Sequence, residues 1–183
     1  ELPGRLVVVG GGPIGCELAQ AFNRLGSDVT LVETEDRLLP REDEEVGTIM
    51  ADIFRREGVR VLTGYRPDRC VGKRLSVTGS ISVEELNFDR ILIAAGRRPR
   101  TMGMGIEKLG IRTEPNGTLV VDRYLRTTVD SVYAAGDVVG PYQFTHMAGH
   151  QAWIAAANAL ARPFWRFALD ESVVPWATFT DPE

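Results

Sequence analysis

The sequence is poor in cysteine and histidine, with two of each among 183 residues. Two cysteines, Cys16 and Cys70, exclude a disulfide-rich scaffold and any zinc site built from four cysteines. Because thiols are few and the first residues do not resemble a secretory signal peptide, we expect the protein in the cytoplasm. No metal site is expected.

Long apolar runs and a large excess of charge are missing as well. No run approaches the roughly 20 residues that cross a bilayer. A formal net charge of −4 gives no reason to expect nucleic acid or a membrane surface as a partner. Hydrophobic residues make up 44% of the chain, which is enough for a buried core in one domain or two small ones.

The periodicity of apolar residues predicts an α/β fold. A buried-type strand at 6–9 leads into a helix at 13–25, and a second strand covers 28–33. A helix is expected at 40–57, where the acidic first turn suits the helix dipole and is interpreted as solvated rather than as a metal site. Four short alternating segments are typical of an antiparallel meander, at 59–65, 68–71, 74–78 and 81–86. Later strands are predicted at 90–95, 118–121 and 131–135, and a last helix at 145–160.

A glycine motif, Gly10-x-Gly12-x-x-Gly15, joins the first predicted strand to the first helix. The spacing alone is weak evidence, but between a strand and a helix it predicts a dinucleotide site. Gly10 permits the tight turn, Gly12 lets a pyrophosphate approach the backbone, and Gly15 lets the helix pack closely on the strand. The helix N-terminus then offers free N–H groups to the phosphates.

Glu33 ends the second strand, 18 residues past Gly15, where an acid can bind the ribose hydroxyls. A carboxylate accepts a hydrogen bond from a 2′-hydroxyl but repels a 2′-phosphate, so NAD is favoured over NADP. Arg37 lies four residues further on and can soften that preference. In a charged stretch, however, a solvated surface arginine is the simpler interpretation.

A second glycine followed by an acid, Gly136-Asp137, closes the strand predicted at 131–135. The glycine lets the backbone come close to a ligand, and the carboxylate can accept hydrogen bonds from hydroxyl groups. A simple cap between strand and loop explains the pair equally well.

Five segments occur in a fixed order along the chain, at 10–17, 29–40, 91–99, 132–137 and 179–183. Together they resemble the FAD-dependent pyridine nucleotide-disulfide oxidoreductases, a family that includes dihydrolipoamide dehydrogenase, mercuric reductase and glutathione reductase. The resemblance covers nearly the whole chain. It implies a Rossmann-type NAD-binding domain at 1–100 with an antiparallel meander, a returning piece of the FAD-binding domain at 101–162, and a tail at 163–183 leading into the dimerisation domain.

The resemblance also implies cofactor roles. Asp137 is expected to hold the ribityl chain of FAD, and the helix beginning near His146 and Met147 to direct its N-terminus at the flavin. Glu17 resembles the glutamate that lines the nicotinamide pocket, although the residues alone favour a solvated helix acid. The residues expected to bind NAD or FAD are Gly10, Gly12, Pro13, Ile14, Gly15, Glu17, Glu33, Gly96, Gly136, Asp137, His146 and Met147.

Parts of the family pattern do not occur in the chain. It has no N-terminal FAD dinucleotide motif, no Cys-x4-Cys redox pair and no C-terminal His-Glu pair. We therefore expect a segment of a longer protein, with an N-terminal FAD half and a C-terminal dimerisation domain as partners, a homodimer when intact, and no catalytic residue in this segment. Cys16 is expected to be an inert core residue.

Two functions remain open. The first is the NAD-binding part of a flavoenzyme in which NADH passes a hydride to FAD, and the electrons go on to a thiol, a disulfide or another acceptor. The alternative is a self-contained NAD-binding sensor without chemistry. A short-chain dehydrogenase is excluded because none of the four tyrosines is followed by lysine four residues on, and a methyltransferase would not explain Gly136-Asp137.

Overall fold

The computed structural model describes residues 1–183. Its contacts divide the chain into two compact units, Glu1–Gly96 with Ala177–Glu183, and Arg97–Trp176. The elements follow one another as β1 (Arg5–Val9), α1 (Pro13–Arg24), β2 (Asp28–Glu33), α2 (Glu44–Arg56), β3 (Arg60–Thr63), β4 (Arg66–Val71), β5 (Arg74–Thr78), β6 (Val83–Asn87), β7 (Arg90–Ile93) and α3 (Thr145–Ala161).

The first unit is built on a parallel sheet with the strand order β3-β2-β1-β7. β1 pairs with β2 from Arg5↔Asp28 to Val9↔Val32, and with β7 up to Val9↔Ile93. The strand order reverses beside β1, which is where open α/β sheets bind their ligands. The predicted Rossmann-type α/β fold is confirmed.

The central strand β1 is buried on both faces. Leu6 and Val8 pack with the core under α1 and α2, which includes Phe54. Val7 and Val9 pack on the other face against the antiparallel sheet of β4, β5 and β6. Burial on both sides explains why the last four residues of β1, 6–9, are consecutive apolar residues rather than an alternating pattern.

The predicted meander is confirmed for β4, β5 and β6, which form an antiparallel sheet. The segment at 59–65 was wrongly placed in it, because β3 joins the parallel sheet beside β2. Val59 contributes to the core on the helical face of that sheet and Leu62 to the core on the opposite face. Burial toward both faces is typical of a parallel strand.

The helix α1 packs on β1 through its small residues. Ile14 and Leu25 are among the apolar residues at helical spacing in the segment 13–25, but they are 41% and 67% exposed. The residues that face the sheet are instead Gly15 and Ala19. A Cβ on Gly15 would lie only 1.8 Å from the Gly10 carbonyl oxygen, so the helix is too close to the strand for a large side chain.

The second unit consists of α3 and a series of turns around a small core of Leu125, Ile154 and Ala155. The helix predicted at 145–160 is confirmed as α3. The strands predicted at 118–121 and 131–135 are wrong, because these segments form only isolated bridges. The turn between them interrupts any ladder, since the Asp122 carboxylate accepts the N–H groups of Tyr124 and Arg126. No helix of the chain combines the length and apolarity needed to cross a membrane.

Candidate nucleotide-binding site

The turn between β1 and α1 lies at the carboxyl end of the parallel sheet. Gly10 has a φ of +110° and donates its N–H to the Val32 carbonyl at 2.8 Å. A Cβ on Gly10 would lie 2.5 Å from the Ala94 carbonyl oxygen. Backbone conformation and space therefore both require glycine at this position.

Gly12 is the N-cap residue of α1, and no side chain caps the helix there. A Cβ on Gly12 would meet no atom within 4 Å, so the space outside the turn is open. Pro13 occupies the first helical position, and Pro13 and Ile14 are both exposed. The N–H groups of the first turn have no acceptor within the helix, and together with the helix dipole they suit a phosphate.

Glu33 is the last residue of β2 and is only 9% exposed. Its Oε2 accepts the Gly11 N–H at 2.5 Å, and its Oε1 accepts the Glu35 N–H at 2.8 Å. Two charge-assisted hydrogen bonds hold the carboxylate in one orientation. The structure therefore fixes the acid beside the glycine turn, where an acid can bind ribose hydroxyls.

The loop after β2 folds over Gly11. Leu39 donates its N–H to the Gly11 carbonyl at 2.8 Å, and Leu38 is so close that a Cβ on Gly11 would lie 2.7 Å from its Cδ2. Arg37 Nη2 donates to the Pro40 carbonyl at 3.2 Å, and its Nε is buried without a partner. Arg37 is expected to be a solvated surface residue, and the structure leaves its side chain 34% exposed while this loop buries the rest.

Cys16 lies beneath the same turn, and its thiol donates to the Gly11 carbonyl at 3.2 Å. Burial, and then the carboxylates of Glu33 and Glu17, raise the pKa of this thiol from 9.0 to about 12. Because only the thiolate is a good nucleophile, Cys16 is inert near neutral pH. This agrees with its expected role as a small core residue.

Glu17 is a partly buried residue of α1. Its Oε1 accepts the N–H of Phe179 at 3.0 Å, so it is not a freely solvated helix acid. Sequence reasoning identified 179–183 only as a family motif and did not predict its return to α1. The contact joins residues 162 positions apart, and no local pattern signals it.

Gly96 follows β7 at the same end of the sheet as the glycine turn. Its φ is +108°, and a Cβ there would meet no atom within 4 Å. The first unit thus leaves open space at Gly12 and at Gly96.

In the second unit, Gly136 has a φ of +83° and donates its N–H to Gln151 Oε1 at 2.7 Å. Gln151 is fully buried and its Nε2 has no partner. No motif in the sequence pointed to this residue. Asp137 lies 3.7 Å from Arg97, and both side chains are about half exposed. The Asp137 carboxylate is accessible and only loosely held.

The N-terminus of α3 has no side-chain cap. His146 is exposed, and its ring stacks on Phe144 with centroids 5.3 Å apart. Met147 is 5% exposed, so its side chain belongs to the core and only its backbone N–H is offered at the helix end. The structure brings together no group of three or more His, Cys, Asp or Glu side chains that could hold a metal ion.

Comparisons with known proteins agree with this geometry. The family model described as pyridine nucleotide-disulphide oxidoreductase matches residues 1–152. Dihydrolipoyl dehydrogenase of Bacillus subtilis (strain 168) is 38% identical over 185 residues, covering 100% of this chain and 40% of the relative. Mercuric reductase of Streptomyces lividans is 39% identical over 186 residues, covering 100% of this chain and 39% of the relative.

Among solved structures, the HOCl-induced flavoprotein disulfide reductase RclA from Escherichia coli superimposes with a TM-score of 0.87 at 35% identity. The superposition covers 100% of this chain and 42% of that chain. The chain therefore spans about two fifths of the length of the relatives that it matches.

Proposed function

Because the chain belongs to the pyridine nucleotide-disulphide oxidoreductase family, we propose that it is the NAD(H)-binding segment of a flavin-dependent oxidoreductase. In the intact enzyme a hydride passes between the nicotinamide and FAD, and the electrons pass on to a thiol, a disulfide or another acceptor. The cofactors supply this chemistry, and the protein supplies binding and orientation. Family membership argues against a sensor without chemistry.

The observation that carries the proposal is the pairing of an open glycine turn with an anchored acid. Gly12 leaves space at the uncapped N-terminus of α1, which suits a pyrophosphate. Glu33 is fixed beside that turn by two backbone N–H groups, which suits two ribose hydroxyls. A phosphate site and a hydroxyl acceptor on adjoining strand ends are what one half of a dinucleotide requires.

Glu33 further supports NAD over NADP as the nucleotide. The carboxylate is nearly buried, so solvent screens its charge poorly and a 2′-phosphate at the same place would be repelled. Arg37 lies in the same loop, where its guanidinium donates to the Pro40 carbonyl at 3.2 Å and is 3.8 Å from Asp36 Oδ1, so part of its charge is already paired away from Glu33.

For FAD, we propose that the second unit supplies one side of the site. The accessible Asp137 carboxylate suits a hydrogen bond to ribityl hydroxyls, and the uncapped end of α3 at His146 and Met147 suits an anionic flavin edge. Gly136 brings the backbone close to α3, since a Cβ there would lie 3.3 Å from Ala148 Cβ. These residues fit part of a cofactor that other parts of the protein must enclose.

The domain assignments belong to the same proposal. Residues 1–100 correspond to the NAD-binding domain, 101–162 to the returning piece of the FAD-binding domain, and 163–183 to a tail leading into the dimerisation domain. The partners are the FAD half and the dimerisation domain of the same protein, in a cytoplasmic homodimer. The relatives support this arrangement because each is more than twice as long as the chain.

Calorimetric titration of the 183-residue chain with NADH and NADPH tests nucleotide binding. We expect NADH to bind about ten- to a hundredfold more tightly, because one poorly screened charge clash is worth on the order of 1–3 kcal/mol. Glu33→Arg should weaken the binding of NADH and narrow or reverse the preference for NADH over NADPH. Glu33→Gln, which keeps the shape of the side chain, should narrow it with less risk to folding.

Glu85→Arg is the matched control, because it reverses the charge of an exposed residue on β6. It should leave both affinities unchanged. Equal affinities of the unaltered chain for NADH and NADPH would remove Glu33 from the ribose site, and binding of neither nucleotide would refute the proposed function.

Flavin retention tests the second unit. We expect the purified chain, mixed with FAD and desalted, to show no flavin absorbance and to leave NADH unoxidised, because Asp137 and the end of α3 reach one side of the cofactor only. A yellow chain with one flavin per molecule that consumes NADH would contradict the assignment of this unit as a partial site.

A further inference from the structure

Residues 177–183 lie along α1, and a pair of hydrogen bonds fixes the backbone of one residue in this segment. Gln20 Nε2 donates to the Asp181 carbonyl at 2.8 Å, and the Asp181 N–H donates to Gln20 Oε1 at 2.8 Å. Gln20 is only 4% exposed. Because one buried amide satisfies both backbone groups of a single residue, the direction and the register of the segment are fixed.

Arg24 adds a charged link to the same segment. Its Nη1 lies 2.8 Å from Asp181 Oδ2, and its Nη2 lies 2.6 Å from Glu57 Oε1. The hydrogen bonds that Arg24 donates to Glu57, and then to Asp181, raise the pKa of the guanidinium. Glu57 is the C-cap residue of α2 and also accepts from Gln20 Nε2 at 3.1 Å, so the segment is tied to both helices.

Glu17 belongs to the same face of α1. Residues three and four apart on a helix are neighbours, so Glu17, Gln20 and Arg24 form one row along α1. Glu17 is at the end of this row closest to the glycine turn, and it accepts the Phe179 N–H. Thr180, between the two anchored residues, is 4% exposed, which shows that the segment is packed and not merely touching.

We propose that Gln20 and Arg24 are positioning residues of the nucleotide site. They hold 177–183 on α1, and the Phe179 N–H then orients the carboxylate of Glu17, the residue that the family resemblance places at the nicotinamide end of the nucleotide. This inference rests on the proposed function. Glu33, at the adenosine end, accepts its hydrogen bonds from Gly11 and Glu35 and not from this segment. The two ends of the nucleotide therefore depend on different parts of the chain.

ADP-ribose separates the two ends experimentally, because it contains the pyrophosphate and both riboses but no nicotinamide. Gln20→Met keeps the size of the side chain but removes both hydrogen bonds to Asp181 and the one to Glu57. We expect it to weaken NADH binding about three- to tenfold and ADP-ribose binding by less than about twofold. Arg24→Met should act in the same direction, and Arg24→Lys should restore most of the loss by keeping the charge near Asp181.

Arg55→Met is the matched control for Arg24→Met. Arg55 pairs with Asp52 at 3.1 Å in an exposed contact on α2, so its loss should change neither affinity. Asp181→Asn is the mildest variant, because its side chain is 76% exposed and the backbone pairing with Gln20 is retained. It should reproduce the selective loss of NADH affinity at a smaller size and without loss of folding.

Hydrogen exchange at the Phe179 amide provides a readout apart from binding. We expect faster exchange in Gln20→Met than in the unaltered chain, because the segment is released from Glu17. Unchanged exchange would overturn the inference that Gln20 helps to hold 177–183 on α1. Equal weakening of NADH and ADP-ribose, or no weakening of either, would overturn the positioning role while leaving the proposed function intact. Failure of the unaltered chain to bind either nucleotide would refute both.

Discussion

Two acids that lie beside glycine-containing turns differ in how the protein holds them. Glu33 is nearly buried, and two backbone N–H groups fix its carboxylate. Asp137 is about half exposed, and its ionic neighbour Arg97 is 3.7 Å away. The first acid has all its hydrogen-bond partners within the first unit, whereas the carboxylate of the second remains accessible to solvent.

The difference shows how much of the support for a carboxylate can come from within one small unit. In the first unit, two strand ends, a helix N-terminus and a short loop all meet at one edge of the sheet, so local chain supplies every support of Glu33. In the second unit, Gly136 and α3 form a rigid base through the buried Gln151, but no second layer covers Asp137. A cofactor as large as FAD needs such a layer.

The largest expected effect comes from separating α1 from β1 in the first unit. Gly15→Val should destabilise the chain by about 2–4 kcal/mol, because its Cβ would overlap the Gly10 carbonyl, and should abolish NADH binding. Urea unfolding and calorimetry measure the two effects. Gly12→Ala is the control, since its Cβ meets no atom. It should leave the free energy of unfolding unchanged and weaken only the binding of NADH. A stable Gly15→Val variant would show that α1 is not held against β1.

The second prediction tests whether water is kept away from the Cys16 thiol beneath the glycine turn. The pKa of Cys16 is raised above its unfolded value of 9.0 to about 12, so folding favours the protonated thiol. The resulting stability is fully present below pH 9 and is lost as pH rises toward 12, at up to about 1.4 kcal/mol per pH unit. Cys16→Ala should flatten this decline in urea unfolding between pH 8 and 10.

The exposed Cys70 is the matched comparison for this pH dependence. Cys70→Ala should leave the decline unchanged, and an alkylating reagent at pH 8 should label Cys70 while leaving Cys16 unmodified in the folded chain. Rapid labelling of both thiols would mean that the turn opens to solvent, and would remove the contrast between the two units.

The sequence allowed prediction wherever a local rule determined the outcome. The order of strands and helices in the first unit follows from period and turn residues, and the roles of Gly10 and Gly15 follow from the demands of a tight turn and close packing. The buried face of α1 did not follow from the apolar pattern. Close contact with β1 selects Gly15 and Ala19, and size rather than hydrophobicity decides which residues fit.

Contacts between distant residues account for most of what was missed. The Gln20–Asp181 pair joins residues 161 positions apart, and neither residue belongs to a periodic or turn signal. The false strand at 131–135 has a different cause, because its alternation is compatible with a strand but Asp122 and the positive φ of Leu125 hold the preceding chain in a turn. Side-chain hydrogen bonds to the backbone can override strand propensity.

A smaller effect is expected from the base of the second site. Gly136→Ala should cost about 1 kcal/mol, because the residue has a φ of +83° and the new Cβ would lie 3.3 Å from Ala148 Cβ. Gly149→Ala, inside α3 with no atom near its Cβ, should instead stabilise the chain by about 0.5–1 kcal/mol. Urea unfolding distinguishes the expected decrease in stability from the expected increase. If Gly136→Ala left the free energy of unfolding unchanged, the turn at Gly136 could adjust to a Cβ, unlike the turn at Gly10.

The smallest expected effect concerns the exposed acid itself. Asp137→Asn should change the free energy of unfolding by less than about 0.5 kcal/mol, because its pairing with Arg97 is long and both side chains are about half exposed to water. Asp122→Asn is the matched control in the same unit. The Asp122 carboxylate accepts two backbone N–H groups at 2.9 and 3.0 Å and lies 3.3 Å from Arg126 Nε, so its neutralisation should cost about 1–2 kcal/mol. A loss above about 1 kcal/mol for Asp137→Asn would mean that this carboxylate supports the fold, and the description of Asp137 as an acid kept available for a ligand would then have to be abandoned.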